Sequence, residues 1–333
     1  MKRSSLSPLI VWIASILMAT AADWVRPEAA TNQPVWGVRG GLHWAVAPGG
    51  FRPGEPRGLL RLGCPVLSER RYDLVNFIAI EPIVKGRRGY SELENSLPDR
   101  VKGKRISADG DGRGILTNFA GKPADNRADK IEQLEVVLRV EKFENGAHVR
   151  LVVRQRADRP DEIELSVFQE PDSAPLDFCI LTATMGNMAR TRNLWLADEV
   201  ISSLELYRGH QGSGFAAPTE YPLPRLHRTV DGGVLVAVTN DEQNPAAVYP
   251  FQNSEFWHYG GRTVTQYWAK PAGAFRDDLR VVVNARYTYW QSARPIPGGV
   301  AFENFELRES FYNGQKFIFG ITERRPEELG FKK

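Results

Sequence analysis

Leu134-Glu135-Val136-Val137-Leu138-Arg139-Val140-Glu141-Lys142-Phe143-Glu144-Asn145-Gly146-Ala147-His148-Val149-Arg150-Leu151-Val152-Val153-Arg154-Gln155 decides the fold class. Apolar residues recur at short spacing on both sides of Asn145-Gly146. Asn-Gly accepts the positive φ angles that a tight hairpin turn requires. The spacing therefore predicts two antiparallel strands, 134–143 and 148–155.

Working outward, the same signature repeats. Apolar or alternating runs at 59–62, 72–80, 162–168, 178–184, 200–207, 233–239, 263–268, 279–290, 299–307 and 316–322 read as further strands. Gly, Pro, Asn and Asp separate them. Asp231-Gly232 and Asn313-Gly314 are two more turn signals, the latter joining the last two strands. Helical periodicity is scarce. Many short strands and almost no helix define an all-β protein: a large antiparallel β-sandwich or jelly roll with long loops. The Pro- and Gly-rich segment 23–58 is expected to wrap the sandwich. Segment 97–130 reads as a long polar surface loop, and Pro326-Glu327-Glu328-Leu329 as one helical turn. With no repeat and no clean linker, 23–333 reads as one β-sandwich domain.

The N-terminus has a different logic. Lys2 and Arg3 precede an apolar run from Leu6 to Ala19, followed by Thr20-Ala21-Ala22. A basic start, a short apolar stretch and small residues make a secretory signal peptide over 1–22. The apolar stretch is short for a membrane span. The expected compartment is periplasmic or extracellular. Losing Lys2 and Arg3 lowers the 43 basic residues to 41 against 40 acidic ones, close to neutrality. No basic block of five or more occurs, which argues against a nucleic-acid partner. Cys64 and Cys179 are the only cysteines; one disulfide and two buried thiols are the alternatives. No Cys or His pair has metal-ligand spacing.

Gly298-Gly299-Val300-Ala301-Phe302-Glu303-Asn304-Phe305-Glu306-Leu307-Arg308 resembles the closing strand of concanavalin-like sandwiches, where a glycine precedes an apolar strand carrying Phe-x-Asn. The resemblance covers about a dozen residues and implies a fold class. That superfamily holds lectin-like modules, glycoside hydrolases and polysaccharide lyases. No catalytic residue carries over.

Four constellations offer chemistry. Glu92 and Glu94, in Tyr90-Ser91-Glu92-Leu93-Glu94, would share one face of a strand and frame a glycosidic bond as a carboxylate pair. The alternative is two solvated glutamates. On the late strands, Asn284, Arg286, Thr288 and Trp290 share one parity, as do Arg262, Val264, Gln266 and Trp268. If both faces line one concave sheet, they combine the aromatic and planar polar groups of a sugar groove; the alternative for the aromatics is core packing. His210, His258 and Tyr259 are candidate bases for removing a proton α to a uronate carboxylate, which Arg262, Arg286, Asn284 and Gln266 would position. Arg190 and Arg192 would bind an anionic group or face Asp198 and Glu199 at the surface.

Asp109-Gly110-Asp111-Gly112 opens like a calcium loop, but Arg113 and Ala120 occupy ligand positions, which excludes an EF-hand. A different calcium site near Asp109 and Asp111, or a plain tight turn, remains. No P-loop, dinucleotide fingerprint or zincin helix is present, and Gly212-Ser213-Gly214 is not a nucleophile elbow. The expected function is a secreted protein acting on or binding a polysaccharide, as a uronate lyase or glycosidase. The alternative is a non-catalytic glycan-binding or interaction module.

Overall fold

The computed structural model describes residues 23–27, 34–46, 56–64, 73–117, 131–184, 186, 189–240, 264–290 and 292–332. The strands among them, in chain order, begin with β1 (Trp24–Val25), β2 (Val35–Val38), β3 (His43–Val46), β4 (Leu59–Cys64), β5 (Asp73–Val84) and β6 (Arg87–Arg88). Then come β7 (Ile106–Ala108), β8 (Arg113–Thr117), β9 (Ile131–Val140), β10 (Val149–Arg156), β11 (Arg159–Gln169), β12 (Phe178–Thr184), β13 (Thr191–Trp195) and β14 (Val200–Ser202). The series ends with β15 (Thr219–Pro222), β16 (His227–Arg228), β17 (Val234–Asn240), β18 (Thr265–Lys270), β19 (Arg280–Arg286), β20 (Ala301–Arg308) and β21 (Gln315–Thr322).

They form two antiparallel sheets. The 10-stranded sheet runs β1-β2-β3-β4-β5-β12-β20-β19-β15, with β6 on β5. The 11-stranded sheet runs β14-β13-β17-β18-β21-β11-β10-β9-β7, with β16 on β17 and β8 on β9. This is the all-β sandwich that the alternation predicts. Leu134, Val136, Leu138 and Val140 of β9 and Leu151 and Val153 of β10 enter one core with Ile78, Ile80, Leu181 and Phe305 of the other sheet. Their odd-even neighbours, among them Glu135, Arg139, Arg150 and Arg154, face outward because strand side chains alternate.

Two polar ties cross the core. Asn76 Nδ2 donates to Gln266 Oε1 at 2.6 Å. Lys270 Nζ bonds Glu309, both side chains fully buried; burial lowers the lysine to about 8. Buried polar groups need such partners.

Several expectations are corrected. Segment 23–58 contributes β1–β3, whose Trp36 and Trp44 stack at 4.7 Å inside the core. Segment 97–130 supplies β7 and β8 at the sheet edge. The run at 200–207 is a three-residue strand followed by one helical turn, Ser203–Leu206, capped by the Ser202 hydroxyl. The Asn145-Gly146 hairpin joins β9 to β10, and its turn is wider than two residues: Phe143 N–H bonds Ala147 carbonyl at 2.8 Å. The Asn313-Gly314 turn makes no hairpin; it passes the chain from one sheet to the other, since β20 and β21 lie in different sheets. Cys179 is a buried free thiol, and burial holds it above its ordinary value. No described helix is long and apolar enough to cross a membrane.

Candidate functional site

A cleft of about 1070 Å³ lies on the outer face of the 11-stranded sheet. Its floor is built by strand parity. Glu135 of β9, Arg154 of β10, Glu164 of β11, Ile318 of β21, Ala269 of β18 and Leu235 of β17 stand in register across six strands. Arg154 bridges its neighbours: Nε donates to Glu135 Oε2 at 2.7 Å and Nη1 to Glu164 Oε1 at 3.0 Å. Lys316 Nζ reaches the same Glu164 oxygen at 3.3 Å. Ser166 Oγ donates to it at 3.3 Å.

The next row is Glu162, Gly320 and Tyr267, again directly opposite one another. Tyr267 Oη donates to Glu162 Oε2 at 2.7 Å, and Arg159 Nη1 bonds the other oxygen at 3.2 Å. Gly320 makes this possible. A Cβ there would lie 2.1 Å from Tyr267 Cζ, so only glycine lets the ring lie flat across β21. Burial and the Glu162 charge push the Tyr267 phenol well above its usual value, so it stays a proton donor. At the rim, burial raises the Asp161 carboxyl.

One wall is the chain's C-terminal segment. Phe331 and Leu329 pack on Trp195, Leu235, Ala237 and Tyr267, forming an apolar cluster separate from the core between the sheets. Trp195 Nε1 is fixed by Thr239 Oγ1 at 3.0 Å. Among the described lining residues, six are acidic and six basic, although the Lys270 side chain faces inward to Glu309. The cleft is therefore polar and close to charge-balanced.

The residues singled out from sequence lie elsewhere. β18 and β19 belong to different sheets, so their faces do not combine into one groove. Trp268 is fully buried, packed edge-on against Phe317 and Phe319 with its Nε1 on Phe305 carbonyl at 3.0 Å. Gln266 points inward onto Asn76. Neither can meet a ligand. Asn284 Oδ1 accepts from Asn304 N–H at 3.1 Å, beside the β19 bulge.

Three of them do converge. Arg286 lies between Phe215 and Trp290, its guanidinium carbon 5.0 and 5.1 Å from the two ring centres. Its Nη2 donates to Ser213 carbonyl at 2.6 Å. His210, on the same loop as Ser213 and Phe215, bonds Gly214 carbonyl at 3.3 Å. Phe215 and Trp290 are 46% and 42% exposed, so this is a small aromatic platform rather than a pocket.

Glu92 and Glu94 do not share a strand face, because Tyr90–Glu94 is a turn closed by Glu94 N–H on Tyr90 carbonyl at 3.0 Å. Glu94 holds that turn: it accepts from Tyr90 N–H at 3.1 Å, Glu144 N–H at 2.8 Å and the buried Lys104 at 3.1 Å. Burial raises the Glu92 carboxyl. Arg192 is buried and donates to Pro297 and Gly299 carbonyls, and Arg190 is buried at positive φ. Both arginines are inside the structure rather than offered to an anion. Asp109 pairs with Arg139 at 2.9 Å, and no group of three metal-binding side chains occurs among the described residues. His258, Tyr259 and Arg262 lie outside the described residues.

Sequence reasoning missed the cleft. The one local signal is Glu162-Ile163-Glu164-Leu165-Ser166, where polar residues alternate with core residues on one strand. Compared with family models, curated proteins and solved structures, the chain matches none.

Proposed function

We propose that the protein is exported and binds a polysaccharide along the cleft of the 11-stranded sheet. The observation that carries this reading is the floor itself. Planar and branched polar groups (Arg154, Glu135, Glu164, Glu162, Tyr267) stand on rigid strands at fixed spacing, beside apolar Leu235, Ile318 and Phe168. A saccharide presents hydroxyls on its edges and C–H groups on its faces, and this mixture answers both. Strand-borne groups are already ordered, so binding costs little conformational entropy. The basic-apolar-small pattern of residues 1–22 supports export.

A second reading, cleavage, is favoured by one feature. Glu162 and Glu164 stand two residues apart on the same face of β11, the arrangement in which two carboxylates can flank one glycosidic bond. Affinity electrophoresis through a panel of polysaccharides tests binding. Release of reducing ends reports hydrolysis, and a rise in absorbance near 235 nm would instead report uronate elimination. Binding without either product selects a pure binding protein; no retardation by any polymer removes the reading.

A further inference from the structure

We infer that the polysaccharide held in this cleft is uncharged; this rests on the polysaccharide reading of the same cleft. The reason is where its cations already point. Arg154 is held by Glu135 and Glu164, Lys316 by Glu164, and Arg159 by Glu162, at 2.7 to 3.3 Å. Arg156 pairs with Asp158 at 2.8 Å, Arg324 donates to Glu328 carbonyl, and Lys270 faces inward to Glu309. Every basic side chain that lines the cleft among the described residues thus has an acceptor supplied by the protein.

A uronate or sulfate binding to Arg154, Arg156, Arg159 or Lys316 would have to take the cation from a protein carboxylate. The exchange replaces one charged hydrogen bond by another, so it gains little. It also takes a partner from the displaced carboxylate, and a desolvated charge that loses a partner is destabilised. A neutral hydroxyl faces no such exchange. Each carboxylate offers about four acceptor sites and each guanidinium five donors, so hydroxyls can bond to the outward edges of pairs that remain intact. The same logic makes the cleft reject acidic polymers while it admits neutral ones.

Glu164 is the hinge of this selectivity, since among the described residues it is the carboxylate paired with Lys316, and it shares Arg154. Glu164→Gln keeps the shape and removes the charge. Affinity electrophoresis at fixed ionic strength would use xylan, β-glucan and galactomannan as neutral probes, with polygalacturonate and alginate as acidic ones. The wild type should be retarded by at least one neutral polymer and pass the acidic gels unhindered. Glu164→Gln should gain affinity for an acidic polymer, by about tenfold for one freed cation. Stronger retardation of the wild type by an acidic polymer than by any neutral one would overturn the inference and leave the polysaccharide reading standing. An unchanged Glu164→Gln would overturn the account of selectivity by charge pairing. Retardation by neither class, with a native circular dichroism spectrum, would remove the polysaccharide reading itself.

Discussion

The two outer faces of the sandwich use the same side chains to opposite ends. On the 11-stranded sheet, Glu135 and Glu164 flank Arg154, and Lys316 adds a second cation. That face stays open as a cleft. On the 10-stranded sheet, Glu81 of β5 and Glu306 of β20 compete for one guanidinium, that of Arg88, at 2.6 and 3.2 Å. Thr182 Oγ1 lies 3.2 Å from Glu81 and 2.6 Å from Glu306, so both carboxyls converge on one hydroxyl. The β5–β6 hairpin folds over them, with Tyr90 stacked on Arg88 at 5.7 Å. Both glutamates are buried as a result. Burial first, and then the Glu306 charge, push Glu81 up to about 7 against the pull of Arg88. Supply of cations and access of water, rather than residue type, separate the open face from the closed one.

Removing the shared cation should break the comparison most strongly. Arg88→Ala leaves two buried carboxyls without their charged partner among the described residues and should cost about 3–5 kcal/mol at pH 8. Arg154→Ala should cost less, about 1–3 kcal/mol, because Glu164 keeps Lys316. Urea unfolding of both variants measures the difference; equal losses would erase the distinction between the faces.

Proton linkage gives the next largest effect. Glu81 has a raised folded-state value, so between about 4.5 and about 7 the folded protein binds more protons than the unfolded chain. Its contribution is fully present below about 4.5 and is lost as pH rises through about 7. The loss is on the order of 3 kcal/mol. Glu81→Gln should flatten this part of the stability–pH curve and raise stability at pH 8. A curve unchanged by the substitution would show that the carboxyl is not strained in the fold.

The fold was legible where one face of a strand is apolar and the other charged. Val149-Arg150-Leu151-Val152-Val153-Arg154 announces both its period and its inward side. Legibility failed where both faces carry large or polar groups. In Thr265-Gln266-Tyr267-Trp268-Ala269-Lys270, parity separates two sets but does not say which is inside, and the set facing the core between the sheets is the one with Gln266, Trp268 and Lys270. Strands β1–β3 were hidden by their Pro- and Gly-rich setting. The cleft was hidden for a different reason. Glu135, Arg154, Glu164, Lys316 and Tyr267 come from five strands, and only sheet register brings them together. Arg286 and Trp290 were visible as a pair in one alternating run, although β19 ends at Arg286, whereas Phe215 sits on a loop with no period to betray it.

A smaller effect sharpens the description of the open face. Tyr267→Phe removes one hydrogen bond to a carboxylate and should cost about 1.5–3 kcal/mol. Gly320→Ala should lose this bond and more, because its Cβ collides with the ring itself, and the double variant should lose little more than Gly320→Ala alone, since the hydrogen bond is already gone there. Full additivity in a thermal-unfolding cycle would separate Gly320 from the Tyr267–Glu162 bond.

The central claim is that ligand occupies the open face and not the aromatic platform of Phe215 and Trp290. Ala269 stands on the cleft floor between Leu235 and Ile318, so Ala269→Trp fills the space. Affinity for the best-retarding polysaccharide should fall at least about tenfold in Ala269→Trp, equivalent to about 1.4 kcal/mol, and stay within about twofold of wild type in Trp290→Ala. Unchanged binding in Ala269→Trp together with lost binding in Trp290→Ala would contradict the account and move the site to the platform.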